Sequence, residues 1–390
     1  MSLEKNIILL KYIKALGGFM LYFTPALIFF IEKFGSNTAG MAIFSVIMIS
    51  TSFLEIPTGF LSDKIGRVKV LQFGLVARII NLLLFCFGFM LSNYYLMIIG
   101  AIFNGLSMAL NSGNNDALLF ESVKQIGKEK KFTGISGKTN SLMFYSLGIS
   151  TLLGTFLADI ISFQFVLWIS LIPYIFALIF ANFLTEPKKH IVEDEKKFLS
   201  HIWSSFQKIW KTPKLRLMTC GNVFKFAFGQ TAFQYLTVFY NTIIPIWAIG
   251  IFRSSESIFG GIGMRFAGFF SKRIKPLNIF LISLTASAFF GILAVSINAF
   301  FAVLLLLIPS FLYGVRTTVE TTLFQKNFSD KQRATMGSVV SFLGTLAFGI
   351  VNILLGLIAD YTGSIRLTLI IAIACGTFLA LPFYLKALKE

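Results

Sequence analysis

Charged residues inside long apolar segments are the part of this sequence that could do chemistry. Arg253 and Glu256 lie three residues apart, and Arg316 and Glu320 lie four apart, so each pair can close within one turn of a helix. A nearby cation favours the ionised carboxylate, whereas burial alone favours the protonated acid. Parting such a pair would therefore load a proton, and rejoining it would release one. The carboxylates of such pairs are therefore candidates for proton coupling.

Four carboxylates are candidates for that proton-coupling role. Glu256 comes first, because it lies within about 17 Å of the outer end of its segment at 1.5 Å per residue, near the middle of a membrane. Glu320 and Asp116 come next, and Glu55 could belong to a gate. Both histidines lie in the polar stretch 185–213, which leaves a carboxylate as the proton carrier.

A second set of polar side chains could line a substrate cavity. Lys225 lies about 16 Å from the inner end of its segment, and two glutamines, one turn apart, continue a polar stripe outward from it. Each buried charge could equally belong to a purely structural ion pair. The cavity candidates are Lys225, Gln230, Gln234, Arg253 and Arg316.

The composition requires lipid rather than water around the folded chain. Hydrophobic residues make up 56% of the sequence, charged residues 13%, and the mean hydropathy is +0.80, whereas a soluble chain carries about 25% charged residues. The net charge of +17 therefore suits basic inner loops of a membrane protein, not nucleic-acid binding. The three cysteines are too far apart for a metal or disulfide framework.

Twelve segments are long and apolar enough to cross a bilayer as helices. The predicted spans are 7–31, 38–61, 69–91, 94–121, 135–159, 163–184, 214–240, 243–270, 276–297, 299–324, 333–359 and 365–386. With the N-terminus inside, 27 of the 34 Lys and Arg fall in inner ends and loops, and two, Lys33 and Arg366, fall outside. This asymmetry predicts that both termini are cytoplasmic.

The longest inner segment, 185–213, separates six spans from six. The sequence therefore predicts an N-terminal bundle, 1–184, a linker, 185–213, and a C-terminal bundle, 214–390. Within the linker, apolar residues recur at helical spacing from Phe198 to Trp210. That pattern predicts a helix lying on the inner membrane surface, with a loosely ordered linker as the alternative.

Three short similarities between the halves indicate an internal repeat. Their offsets are 204, about 201 and 209 residues, which is too regular to dismiss. Two parallel six-span halves are typical of carriers that rock around a central site. The matched segments are Asp116-Ala-Leu-Leu-Phe with Glu320-Thr-Thr-Leu-Phe, 152–159 with 354–360, and Gly59-Phe-Leu-Ser with Gly268-Phe-Phe-Ser.

The loop after the second span reads Gly59-Phe-Leu-Ser-Asp63-Lys-Ile-Gly66-Arg67-Val-Lys69. It resembles the signature loop of the major facilitator superfamily, and every key position is filled. The resemblance implies a gating role for Gly59, Asp63, Gly66, Arg67 and Lys69. Gly66 permits the tight turn, and the two basic residues suit the inner headgroups. In the second-half copy, Lys272 stands where the aspartate would be.

Two further runs, Glu55-Ile-Pro-Thr-Gly59 and Asn111 to Glu121, resemble a bacterial branch related to multidrug exporters. The resemblance covers the whole chain and implies an all-α membrane fold of two pseudo-symmetric six-helix bundles. It also implies that spans 1, 4, 7 and 10 line the cavity. Arg78, on peripheral span 3, is then expected to be a structural partner of Glu55 or Asp116.

The leading functional hypothesis is a carrier in the bacterial inner membrane that works by alternating access. It would export small organic molecules by proton antiport, and the resemblance alone supplies that direction. The partners would be substrate, protons and the lipid bilayer, with no nucleic acid, no metal or other cofactor, and a monomeric chain. The alternatives are uptake or exchange of one metabolite, which could be anionic, and a non-transporting receptor or scaffold. The sequence contains no nucleophile–base–acid set and no dinucleotide fingerprint, so we expect no enzyme.

Overall fold

The computed structural model describes residues 3–187, 203–204, 206–297, 300–327 and 333–389. Within these ranges the regular structure is α-helical, apart from one 3₁₀ turn at Glu129–Lys131, and no strand occurs. The chain divides into two compact units. The first comprises Met1–Gly35 and Val46–Phe198, and the second comprises Ser36–Ser45 and Leu199–Glu390.

The helices of the first unit begin near the N-terminus and continue to the start of the linker. The third of them begins among residues of the second unit. They are α1 (Leu3–Gly17), α2 (Ala26–Phe34), α3 (Asn37–Ile65), α4 (Arg67–Met90), α5 (Tyr94–Asn111), α6 (Asn114–Gln125), α7 (Phe132–Ile160), α8 (Phe163–Ile169) and α9 (Leu171–Ala181).

The second unit contains the helices that follow the linker. They are α10 (Pro213–Asn241), α11 (Ile246–Arg273), α12 (Pro276–Ser296), α13 (Phe301–Leu305), α14 (Leu307–Asn327), α15 (Arg333–Thr362), α16 (Ile365–Phe378) and α17 (Leu381–Lys389). Every predicted span is therefore occupied by helix, and five of the twelve are divided into two helices in sequence.

Within the described residues, nine helical segments are long and apolar enough to cross a membrane. The predicted spans outside this set are 7–31, 214–240 and 243–270. The first is interrupted between α1 and α2, so neither helix reaches the length required. The other two form the long helices α10 and α11, but basic and acidic side chains dilute their apolar character. These three differences from the predicted spans therefore have two causes: the break between α1 and α2, and the charged side chains of α10 and α11.

The break between α1 and α2 fits tightly against α7. A methyl group at Gly154, on α7, would collide with the backbone carbonyl of Leu21. A methyl group at Gly18 would likewise collide with the carbonyl of Met143. Residues 18–25 therefore pack directly on a helix backbone, which gives irregular backbone at membrane depth the protein cover that it needs.

Small residues allow the closest helix crossing in the second unit. A Cβ on Gly263 of α11 would collide with the carbonyl of Phe311 on α14, and a Cβ on Gly314 would collide with the carbonyl of Gly260. The two helices therefore approach backbone to backbone, as small residues permit in membrane proteins. This approach fixes the depth at which α14 presents its charged residues.

The start of α3 is capped by a carboxylate distant in sequence. Asp360 accepts hydrogen bonds from the backbone amides of Asn37 (2.6 Å) and Thr38 (2.9 Å) and from the hydroxyl of Ser36 (2.6 Å). The Ser36 hydroxyl in turn accepts from the amide of Ala39 at 3.1 Å. Three of the unpaired amides that every helix start exposes are thus satisfied.

Only part of the predicted surface helix in the linker can be compared with the structure. Residues 203–204 and 206–211 are helical, while 188–202 and 205 lie outside the described residues. Trp203, Phe206 and Trp210 form a stack with ring centroids 5.8 and 5.7 Å apart, and both tryptophans are exposed. Ile209, on the other side, is buried against Leu215. Location at the membrane surface stays a prediction.

The glycine crossing of α11 and α14 predicts a position-specific effect of alanine. Gly263→Ala should lower the free energy of unfolding by about 1–3 kcal/mol, because the added methyl group overpacks the crossing. Gly268, on the same helix, has open space around its Cβ, so Gly268→Ala should be neutral or stabilise by up to about 1 kcal/mol. Unfolding of the purified chain in detergent measures both. Equal effects would contradict the close crossing.

Candidate functional site

The predicted pair on α11 is present and fully buried. Arg253 Nη1 donates to Glu256 Oε2 at 2.7 Å, and Nη2 donates to the backbone carbonyl of Phe233 at 2.6 Å. The guanidinium carbon also lies 3.7 Å from the centroid of the Phe233 ring. The hydroxyl of Tyr240 donates to the other oxygen of Glu256. This ion pair is closed within one helix and satisfied by α10, so the predicted pairing is confirmed.

Glu320 has a different partner from the one that the spacing predicts. It forms its ion pair with Lys225 of α10, not with Arg316 one turn away on its own helix. Asn222 Nδ2 donates to Glu320 Oε1 at 3.0 Å, and the hydroxyl of Tyr384 donates to the same oxygen. The predicted Arg316–Glu320 pair is therefore wrong, because Lys225 and two neutral donors occupy both carboxylate oxygens.

The packing around this cluster explains how Tyr384 reaches the carboxylate. A Cβ on Gly221 would lie 2.7 Å from the Tyr384 ring, so glycine at this place leaves room for it. The ring also packs on Phe280, with centroids 4.1 Å apart. We name Lys225, Glu320, Asn222 and Tyr384 the α10–α14 cluster. It joins α10, α14 and α17, and the sequence alone did not indicate Asn222 or Tyr384.

Arg316 lies beside the α10–α14 cluster without a described partner. The residue is 8% exposed, and its Nε is buried with no hydrogen-bond partner among the described residues. Its guanidinium carbon lies 5.8 Å from the ring centroid of Tyr313. Among the described residues in the interior of the second unit there are thus three cations, Lys225, Arg253 and Arg316, and two carboxylates.

A related pair occupies the first unit. Lys14 of α1 forms an ion pair with Asp116 of α6, and its ammonium also donates to Asn140 Oδ1 at 2.9 Å. The Asp116 side chain is 60% exposed, whereas Lys14 is nearly buried. Sequence reasoning missed Lys14, although the repeat offers a signal. Lys14 precedes Asp116 much as Lys225 precedes Glu320.

Arg78 is buried among neutral partners. It donates to Asn104 Oδ1 and lies 3.5 Å from the hydroxyl of Tyr22, and its guanidinium carbon lies 5.3 Å from the centroid of the Tyr174 ring. The predicted pairing with Glu55 or Asp116 is therefore wrong. Tyr22 lies in the break between α1 and α2, so this arginine supports an interruption that the sequence did not reveal.

The signature loop forms a compact junction in the first unit. Gly66 has a φ of +104°, which favours glycine, and it begins α4. The carboxylate of Glu186 accepts from the backbone amides of Arg67 (2.7 Å) and Val68 (2.9 Å). The Arg67 side chain pairs with Glu121 at 2.8 Å. Sequence analysis missed Glu186, whose position after a long apolar run gave no sign of this contact.

The other gate candidates are less constrained. Gly59 and Lys69 are exposed, and the side chain of Asp63, at the end of α3, lies outside the described part of the structure. Glu55 accepts a hydrogen bond from the hydroxyl of Ser112. Nothing in these contacts assigns a gate by itself.

Among the described residues, no group of three or more His, Cys, Asp or Glu side chains could hold a metal ion. Of the two glutamines of the predicted polar stripe, Gln230 is half-buried, and Gln234 has a buried amide oxygen with no partner within the described ranges. The polar chemistry of the spans therefore rests on ion pairs and amides.

Comparison with known families decides the class. The sequence profile of the Major Facilitator Superfamily matches residues 13–351. The chain belongs to the major facilitator superfamily. It is thus a multi-pass membrane protein with an all-α transporter fold, and not an enzyme. The sequence matches none of the curated proteins with which it was compared.

Solved structures support the same fold at low sequence identity. A bacterial homolog to the human lysosomal transporter Spinster, inward-facing and occupied, has a TM-score of 0.79 and 13% identity, over 98% of this chain and 96% of that one. A mutant form of the nucleoside transporter NupG has a TM-score of 0.77 and 15% identity, over 98% of this chain and 99% of that one. A D-xylose-proton symporter has a TM-score of 0.75 and 12% identity, over 98% of this chain and 97% of that one. These likenesses show the fold alone.

Breaking the pair on α11 should destabilise the protein. Glu256→Ala leaves Arg253 buried without its carboxylate and should lower the free energy of unfolding by about 3–5 kcal/mol. Replacing both residues by methionine removes both charges together and should cost far less. Chemical unfolding in detergent compares the variants. A single variant as stable as the double one would show that this pair is not structural.

The cap that Glu186 provides predicts a local effect at the start of α4. Glu186→Ala removes both acceptor oxygens, which should cost about 1 kcal/mol and speed hydrogen exchange at the amides of Arg67 and Val68 about fivefold. Glu129→Ala, which removes an exposed carboxylate of the same unit, is the control. Unchanged exchange in the first variant would refute the cap.

Proposed function

We propose that this transporter is proton-coupled and works by alternating access, with Glu320 as the carboxylate that binds and releases the proton. The observation that carries the proposal is the ion pair between Lys225 and Glu320, which joins two different helices. Because α10 and α14 belong to the same unit, we propose that these two helices shift against each other as the bundles rock, and this shift parts the pair. A pair closed within one helix, such as Arg253–Glu256, moves as a unit.

The surroundings of Glu320 suit an exchangeable proton. In the α10–α14 cluster, Lys225 is the only ion-pair partner of Glu320 among the described residues, and Tyr384 and Asn222 are neutral donors. Arg316, one turn away, contributes further positive charge. A buried carboxylate that loses its cation takes up a proton, and it releases the proton when the cation returns.

This geometry changes the order of the candidates. Glu256 comes first by depth, but Arg253 and Tyr240 hold both of its oxygens inside one helix pair. The side chain of Asp116 is 60% exposed, whereas Glu320 is buried. We therefore place Glu320 before Glu256 and Asp116, and assign Glu256 a structural role.

We base the proposal for the gate and for the moving parts on the resemblance and on the contacts of the signature loop. We propose that the bundles 1–184 and 214–390 rock about a central site, and that the loop from Gly59 to Lys69 is the inner gate. The contacts of Arg67 with Glu121 and of Glu186 with the start of α4 support a closed element there. We place the monomeric chain in a bacterial inner membrane with both termini in the cytoplasm, as its charge asymmetry favours.

Two substrate assignments remain distinct proposals. The motif resemblance supports export of small organic molecules by proton antiport. The second candidate is uptake or exchange of an anionic metabolite, and the excess buried cation in the second unit favours it. A receptor or scaffold with this fold would move no substrate, so transport assays separate it from both carriers.

Replacing Glu320 by glutamine should uncouple transport from protons. In proteoliposomes carrying a pH-sensitive dye, a panel of nucleosides, sugars, organic acids and amphipathic cations should evoke proton flux with the wild-type protein. Glu320→Gln should abolish this flux but retain substrate exchange at equal pH, because the variant cannot ionise.

Glu256→Gln is the matched control, since it removes a buried carboxylate of the same unit. It should keep substrate-driven proton flux if it folds, as judged by its unfolding midpoint. Proton flux that survives in Glu320→Gln would overturn the assignment of Glu320. Vesicles silent to the whole panel would favour the receptor or scaffold.

A further inference from the structure

Arg316 is the one charged residue among the described side chains that have a buried polar atom without a hydrogen-bond partner. Its Nε is buried without a partner among the described residues, and the residue is more than nine-tenths buried. A buried cation is costly unless it is paired and hydrogen-bonded. A side chain that stays buried in this state needs a partner that the described protein does not supply.

The other buried arginines show what a satisfied guanidinium looks like in this fold. Arg253 has the carboxylate of Glu256 and a backbone carbonyl. Arg78 has an amide oxygen from Asn104, a nearby tyrosine hydroxyl and an aromatic face. Both networks come from neighbouring helices. Arg316 has no such hydrogen-bond network among the described residues. Its guanidinium carbon lies 5.8 Å from the ring centroid of Tyr313.

Glu320 does not form an ion pair with Arg316 while the α10–α14 cluster is closed. Lys225 takes one of its carboxylate oxygens, and Asn222 and Tyr384 donate to the other. Glu320 therefore attracts Arg316 only at longer range, and Arg316 has no ion pair of its own among the described residues. Arg316 lies beside the ammonium of Lys225, and Glu320 is the carboxylate that balances the charge of Lys225.

We propose that Arg316 binds an anionic group of the transported molecule, either a carboxylate or a phosphate. The inference rests on the proposed function, because it names the substrate class of the same site. The planar guanidinium offers a fork of donors that matches both groups in a bidentate manner. Tyr313, three residues earlier on α14, is 44% exposed, so the described protein does not fully cover this face of the helix.

The position of Arg316 beside Glu320 links the anion to the proton. Protonation of Glu320 makes the cluster more positive, so it should tighten anion binding, and the bound anion should in turn favour protonation. Such coupling moves anion and proton together. It therefore favours the second candidate function, uptake or exchange of an anionic metabolite.

Binding to the purified full-length chain tests the proposal without a pH gradient. The probes are matched pairs of anion and neutral analogue: benzoate with benzamide, succinate with succinamide, and glycerol 3-phosphate with glycerol. Calorimetry and the shift of the unfolding midpoint measure affinity. We expect at least one anion to bind and its neutral analogue not to bind, and the pair that responds distinguishes carboxylate from phosphate.

Four variants test whether the anion binds to this side chain. Arg316→Gln should weaken the responding anion at least tenfold. Arg316→Lys should retain part of the affinity, because it keeps the charge and loses the fork. Arg265→Gln removes the same charge from an exposed position of the same unit and should bind like the wild type. Glu320→Gln should bind the anion several-fold more tightly.

A structural role for Arg316 predicts different results. Without ligand, the unfolding midpoint of Arg316→Gln should be no lower than that of the wild type, because the substitution removes a buried charge that has no ion pair among the described residues. A lower midpoint would overturn the proposal, as would unchanged anion affinity in this variant. Failure of every anion to bind better than its neutral analogue would also overturn it.

The outcome is separable from that of the proposed function. Anion binding through Arg316 without any pH-driven flux would retain this site and reject proton coupling. Proton-coupled transport of a neutral or cationic molecule that survives in Arg316→Gln would retain the coupling and reject this site.

Discussion

A charge buried in a chain that is solvated by lipid must find its partner inside the protein, and the arrangement of this molecule depends on that constraint. Water cannot share the burden at membrane depth, so each guanidinium, ammonium and carboxylate in the spans constrains its neighbours. Arg253 and Glu256 meet the constraint within one helix. Lys225 and Glu320 meet it between two helices, and Arg78 meets it with neutral groups. The three solutions differ in what they allow to move.

The helix packing sets where those charges meet. Glycines at the crossing of α11 and α14 bring the two backbones together, and Gly221 on α10 leaves the space that the ring of Tyr384 fills. The α10–α14 cluster is therefore a product of missing side chains as much as of charged ones. In the first unit, the break between α1 and α2 packs on α7 and places Tyr22 against Arg78. Irregular backbone and buried charge thus support each other.

The junction at the signature loop of the first unit also pairs its polar groups within the protein. Gly66 turns the chain with a positive φ, and the amides at the start of α4 need acceptors. The carboxylate of Glu186 provides them from the far end of the unit, while Arg67 pairs with Glu121. A linker residue is thereby attached to the loop that carries the family signature.

The sequence by itself determined the membrane class, the helical content, the signature loop and the pair on α11. These follow from hydropathy, from local spacing and from the 3.6-residue turn, all of which act along one helix. Only the tertiary structure decided that Lys225 and not Arg316 pairs with Glu320, that Arg78 has neutral partners, and that Glu186 caps α4. Those contacts depend on how each helix is rotated and how closely it crosses its neighbour. Such quantities are set by packing between distant segments, so short-range spacing carries no record of them.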